Sequence, residues 1–132
     1  MCCIIFVFNL IHLITDSSAQ ILRLSIFQGI GPVPAIKGAL AKAGIGLSDI
    51  DHIEINEAFA AQFLACAKEL DLDMEKTKIN GGAISLGHPL GASGSRIVAH
   101  LANAFQRTDG NVHVGAACIG GGQGIAVVLE RV

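Results

Sequence analysis

Three short segments place reactive side chains against backbone that is rich in glycine or about to enter a helix. The first is Asn56-Glu57-Ala58-Phe59-Ala60, at the junction of an alternating segment and an amphipathic one. The second runs from Gly81-Gly82-Ala83-Ile84-Ser85-Leu86 into Gly87-His88-Pro89-Leu90-Gly91-Ala92-Ser93-Gly94. The third is Cys118-Ile119-Gly120-Gly121-Gly122-Gln123-Gly124. An imidazole titrates near neutrality and suits proton transfer. A thiol does the same where its surroundings lower its pKa. Glycine lets backbone N–H groups approach a substrate closely. Each side chain also has a plainer reading. Asn56 is a good N-cap with Glu57 favoured at a helix start, His88 a loop histidine, and Cys118 a small buried apolar residue. A phosphate loop is a further reading of 81–94, which opens a helix, yet no Gly-Lys-Ser/Thr follows and no dinucleotide fingerprint fits. No Gly-x-Ser-x-Gly elbow is present.

The elements that would hold these segments follow from periodicity. Residues 21–27 alternate as a strand, with Leu22, Leu24 and Ile26 on one face. Pro32 suits the first turn of a helix over 32–43, whose apolar stripe is Val33, Ile36, Leu40 and Ala43, and Gly44 and Gly46 end it. Residues 51–55 read as a short strand with Ile53 and Ile55 inward. A helix over 58–70 is expected to bury Phe59, Phe63, Ala67 and Leu70, and another over about 92–107 carries Ile97, Val98, Leu101 and Phe105 on one face. Asp109-Gly110 marks a turn between that helix and two strands at 112–118 and 124–130. The second strand is almost continuously apolar, as expected of a strand covered on both faces. The order of strands and helices predicts an α/β layered domain.

Size and composition agree with one such domain. The chain has 132 residues, 52% of them hydrophobic and 15% charged, with a formal net charge of −2. No basic stripe or aromatic platform points to nucleic acid. The four cysteines include the adjacent pair Cys2-Cys3 and no Cys-x-x-Cys, which argues against a disulfide framework or a zinc ribbon. None of the five histidines makes a His-Glu-x-x-His pattern, so no metal is implied. Residues 2–14 are apolar but too short for a comfortable membrane span. They have the length of a signal-peptide core ahead of Ser17-Ser18-Ala19, but no Lys or Arg precedes them.

Together the Asn-Glu-Ala-Phe, Gly-His-Pro-Leu-Gly-Ala-Ser-Gly and Cys-Ile-Gly-Gly-Gly-Gln-Gly stretches resemble the thiolase family, in the same order and at similar spacing. Gly31-Pro32-Val33-Pro34-Ala35-Ile36 strengthens the match, which covers residues 29–132 and resembles most the mitochondrial 3-ketoacyl-CoA thiolases of fatty-acid β-oxidation. Residues 1–28 form an apolar segment outside it. Gln28 departs from the methionine expected before Gly-x-Gly-Pro, which bears on a substrate contact.

The resemblance implies acyl transfer between 3-ketoacyl-CoA and CoA, with CoA thioesters as substrates and no separate cofactor. It matches His88 to the histidine that takes the nucleophile's proton and helps hold the thioester oxygen. Asn56 matches the asparagine that fixes a water in that oxyanion hole. Cys118 matches the second cysteine, which exchanges a proton with the substrate α-carbon or the incoming CoA thiol, and Gly120 the glycine whose N–H completes a second oxyanion hole. The nucleophilic cysteine belongs to the family's N-terminal half, so these residues alone are expected to be inactive. The alternative is a non-catalytic module that pairs with full-length subunits. Family members form homo-oligomers, and the resemblance implies a mitochondrial location. It also implies a mixed sheet, of order 3-2-1-4-5, covered by helices. Residues 51–55, 112–118 and 124–130 would be its strands 3, 4 and 5. Its two central strands would be missing or replaced, with 3–8 and 21–27 as the candidates to fill the gap.

Overall fold

The computed structural model describes residues 6–8, 11–16 and 29–131. The strand expected at 21–27, Gln28 and the pair Cys2-Cys3 lie outside the described residues. A five-stranded mixed sheet is formed by β1 (Phe6–Phe8), β2 (Ile11–Asp16), β3 (His52–Ile55), β4 (Val112–Ile119) and β5 (Gln123–Arg131). Their order across the sheet is β1-β2-β5-β4-β3. Only β3 and β4 are parallel; the other three pairings are antiparallel. The helices are α1 (Pro32–Ala43), α2 (Ala60–Leu70), the single turn α3 (Ala83–Leu86) and α4 (Ser93–Ala104).

The mixed sheet and its helical cover are as the sequence predicts. The place of the N-terminal strands is not. β3 pairs directly with β4, in the register His52 with His113 through Ile55 with Ala116. No gap separates them, so the expected missing centre does not occur. The N-terminal strands instead extend the sheet on the far side of β5, where Ile11–Asp16 runs against Ala126–Arg131. A 3₁₀ turn at Gly120–Gly122 joins β4 and β5 as neighbours, which leaves the opposite edges of this pair open to β3 and β2.

Two cores sandwich the sheet. The larger joins Val33, Ile36 and Leu40 of α1 and Phe63, Cys66 and Leu70 of α2 to Ile53, Ile55, Val114 and Val128 of the sheet. The smaller joins Ile97, Leu101 and Phe105 of α4 to Leu129 on the other face. Pro32 opens α1 as predicted, and Gly44, at φ +73°, closes it in the left-handed conformation that glycine adopts without strain.

Several local expectations change. α2 begins at Ala60 rather than at residue 58, with Phe59 as an extended N-cap that is 74% exposed. Ala67 is half-buried, and Cys66 takes its place in the core. Val98 of α4 reaches the surface. The strand expected to be one-sided at 51–55 forms over His52–Ile55 and is buried on both faces, His52 and Glu54 included, because α4 covers the face assigned to solvent. β5 is less covered than its composition suggests, since Ile125 is exposed.

Candidate functional site

The parallel pairing of β3 and β4 brings their C-terminal ends together. The Asn56 N–H donates to the Ala116 carbonyl at 2.8 Å, which extends the ladder one residue beyond β3. Asn56 is therefore a strand-end residue, not the helix cap its sequence position allows, since α2 starts only at Ala60. Its side chain is 2% exposed and its Nδ2 lies 3.4 Å from His88 Nε2.

His88 is fixed from its other nitrogen. Nδ1 lies 2.6 Å from Ser93 Oγ, and the Ser93 hydroxyl donates to the Pro89 carbonyl at 3.0 Å. With its proton committed to Pro89, Ser93 accepts from Nδ1–H. That leaves the Nε2 lone pair facing the Asn56 amide. Ser93 is the first residue of α4, and its backbone N–H also bonds the Pro89 carbonyl. The turn that starts the helix thus orients the imidazole. Ser93 was not singled out in the sequence, although its five-residue spacing from His88 across Pro89 was a usable signal.

Glu57 ties this loop to the strand end. One carboxylate oxygen pairs with Lys78 and the other accepts from the Ile84 N–H at 2.9 Å. Lys78 also sits over the Phe63 ring, 3.9 Å from its centroid. Gly82 allows the approach: a Cβ there would lie 2.6 Å from Glu57 Oε2 and 2.7 Å from Lys78 Cε. Burial holds the Lys78 ammonium below its usual pKa, opposed by Glu54 and reinforced by Arg96.

Cys118 and Gly120 stand on the adjacent strand end. The register sets Ile55 beside Ala116, so Asn56 and Cys118 leave the sheet at the same edge. Cys118 is half-buried and faces Gly124 across the β4–β5 ladder. Burial raises its pKa, partly offset by a backbone hydrogen bond. The sequence reading required surroundings that lower it; in this structure the thiol is the resting form. Gly120 is exposed and a Cβ there would meet nothing, while Gly121 and Gly122 make the turn with φ of +78° and +76°. The close approach in this loop belongs to Gly124, whose Cβ would collide with the Gly31 carbonyl ahead of α1 and lie 2.8 Å from Pro32 N. The structure thus joins Asn56 and His88 by contact, and places Cys118 and Gly120 at the same sheet edge through a separate loop.

Comparison with known proteins resolves the family. The thiolase C-terminal domain matches residues 16–131. The chain belongs to the thiolase family. It is 65% identical over 103 residues to human mitochondrial 3-ketoacyl-CoA thiolase, a match covering 78% of this chain and 26% of the relative. It is 60% identical over 104 residues to an acetyl-CoA acetyltransferase of Escherichia coli K12, covering 79% of this chain and 26% of that one. The crystal structure of human mitochondrial 3-ketoacyl-CoA thiolase in complex with CoA superposes with a TM-score of 0.84 at 53% identity, covering 92% of this chain and 30% of that one. The chain therefore spans about a quarter of the length of these curated thiolases. The parallel β3–β4 edge and the loops on it belong to a thiolase C-terminal domain.

Proposed function

We propose that this domain supplies the acid–base and oxyanion half of a 3-ketoacyl-CoA thiolase site, for acyl transfer between a 3-ketoacyl-CoA and CoA. The observation that carries this is the Asn56–His88–Ser93 relay, in which Ser93 holds Nδ1 and Nε2 is turned toward the Asn56 amide, the nitrogen placed for proton transfer. A cysteine of the family's N-terminal half would give its proton to Nε2 and attack the 3-keto carbon. The C2–C3 bond then breaks, and the Cys118 thiol protonates the departing α-carbon as its electron pair arrives. The resulting Cys118 thiolate takes the proton of the incoming CoA thiol. The CoA sulfur accepts the acyl group, and the nucleophile leaves as a thiolate and regains its proton from His88. A thiol held protonated by burial suits the first of Cys118's two roles. Asn56 would hold a water beside the oxygen that gains charge, and the Gly120 N–H would donate to the second such oxygen.

Exposed apolar side chains surround these loops: Phe59, Leu64, Ile84, Leu86 and Leu90. They suit cover by an N-terminal thiolase half and by neighbouring subunits of a homo-oligomer. The same surface supports the second reading, a non-catalytic module that pairs with full-length subunits. Mitochondrial location is proposed from the names of the relatives. No helix among the described residues is long and apolar enough to cross a membrane.

Taken alone, these 132 residues hold no match to the family's nucleophile and are proposed to be inactive. Acetoacetyl-CoA and CoA incubated with the purified chain should be consumed at the uncatalysed rate. Turnover that disappears in Cys118→Ala would overturn this division of roles.

A further inference from the structure

On the face of β3 that carries Asn56, two residues further into the sheet, lies a buried polar cluster that the proposed thiolase chemistry does not use. His52 and Glu54 alternate onto this face, and α4 sets His100 above them. His52 is 2% and Glu54 0% exposed. His52 Nε2 and His100 Nε2 each stand 3.5 Å from the same carboxylate oxygen, Glu54 Oε1, and the three atoms lie within 4.8 Å of one another. None of them has a hydrogen-bond partner among the described residues. Buried lone pairs without partners are costly and call for an occupant.

The distances discriminate between occupants. A protonated imidazole bonded to a carboxylate would sit at about 2.7–2.9 Å, and neither histidine does. Donor atoms around a tetrahedral zinc ion, with bonds of about 2.0–2.2 Å, stand about 3.3–3.5 Å apart. Arg96 approaches from the other side, with Nη1 4.0 Å from Glu54 Oε2, and so leaves Oε1 to the imidazoles. His100 and Arg96 are partly exposed, at 22% and 23% of their side chains, while the three donor atoms themselves are buried.

We propose that His52 Nε2, Glu54 Oε1 and His100 Nε2 form a binding site for a divalent cation of the zinc class, with a water as the fourth ligand. Two imidazoles and one carboxylate suit such an ion, whereas magnesium or calcium would demand oxygen donors. The ion would clip α4 to β3, beside the packing of Ile97, Leu101 and Phe105 with Leu129. Since α4 begins at Ser93, the clip would steady the residue that orients His88. The inference rests on the cluster alone and stands apart from the thiolase reading.

The test is titration of the chelator-stripped full chain with zinc chloride against a chromophoric competitor, with magnesium chloride as control. One zinc per chain is expected, with a higher melting temperature. Cobalt(II) should give the visible bands of a tetrahedral site without the near-ultraviolet thiolate band. Binding should be lost in His52→Leu and in His100→Gln, and kept in Cys118→Ala, in His88→Ala and in a Cys2→Ser/Cys3→Ser variant. Should the buried His52→Leu not fold, His100→Gln, nearer the surface, decides alone. No stoichiometric zinc, binding that survives His100→Gln, or a cobalt thiolate band would overturn the proposal. A cluster that holds only a proton would show no metal uptake, which also overturns it.

Discussion

The two loops at the shared edge of β3 and β4 are held by different means. The 81–94 loop is stitched by side chains: Glu57 to Lys78 and Ile84, Asn56 to His88, Ser93 to His88 and Pro89. The 118–124 loop is held by backbone fit, with Gly124 pressed against Gly31 and two left-handed glycines at the turn. The contrast follows the atoms each loop must present. An imidazole has a direction and a tautomer, so it needs partners on its ring. A backbone N–H is placed by the course of the chain, so its loop needs glycines and one tight crossing. The first loop should fail when side chains are removed, and the second when a Cβ is added.

The largest effect should come from Gly124→Ala. Its Cβ would meet backbone of the α1 entry, which has no rotamer to give. A loss of about 3 kcal/mol is expected, at the upper end of ordinary overpacking. Gly120→Ala, where a Cβ meets nothing, should stay within about 0.5 kcal/mol of the parent. Urea unfolding of both variants gives the difference. Equal losses would mean that backbone fit at Gly124 is not what holds this loop.

A smaller effect is expected of Glu57→Ala, about 2 kcal/mol, from losing charged hydrogen bonds and leaving Lys78 buried without that partner. The change should also release the 83–94 loop. His88 should then exchange faster by NMR while Gly120–Gly124 is unmoved. A shift spread over both loops would show that they are one unit and not two.

The smallest difference separates two cysteines whose pKa is shifted in the same direction. Burial raises both thiols; Gln62 opposes this at Cys66. Access should therefore rank them, since Cys66 is fully buried and Cys118 is half open. Brief alkylation of the folded chain followed by mass mapping should label Cys118 first. Faster labelling of Cys66 would count against Cys118 as the accessible thiol of the site.

The legible part of this molecule was what short-range pattern records. Pro32 and Gly44 marked the ends of α1, the glycine runs marked both loops, and the motif stretches singled out Asn56 and His88, which the fold joins. What long-range packing decides was not legible. Alternation at 51–55 left His52 and Glu54 to solvent, because nothing local says that α4 returns over that face. Phe59 read as core at a helical spacing, but α2 starts one residue later and turns it outward. The direct β3–β4 pairing was hidden for the same reason, since strand neighbours 61 residues apart leave no periodic trace. The Asn56 cap reading failed because the ladder to Ala116 claims its backbone before a helix can start.

The most direct test of the central claim is a chimera. The matching C-terminal segment of human mitochondrial 3-ketoacyl-CoA thiolase would be replaced by residues 29–132, and thiolysis of acetoacetyl-CoA followed. The account predicts a folded chimera that turns over substrate, loses activity on His88→Ala, and slows on Ser93→Ala with a shifted pH profile. A folded chimera that is inactive, or one whose activity survives His88→Ala, would contradict it.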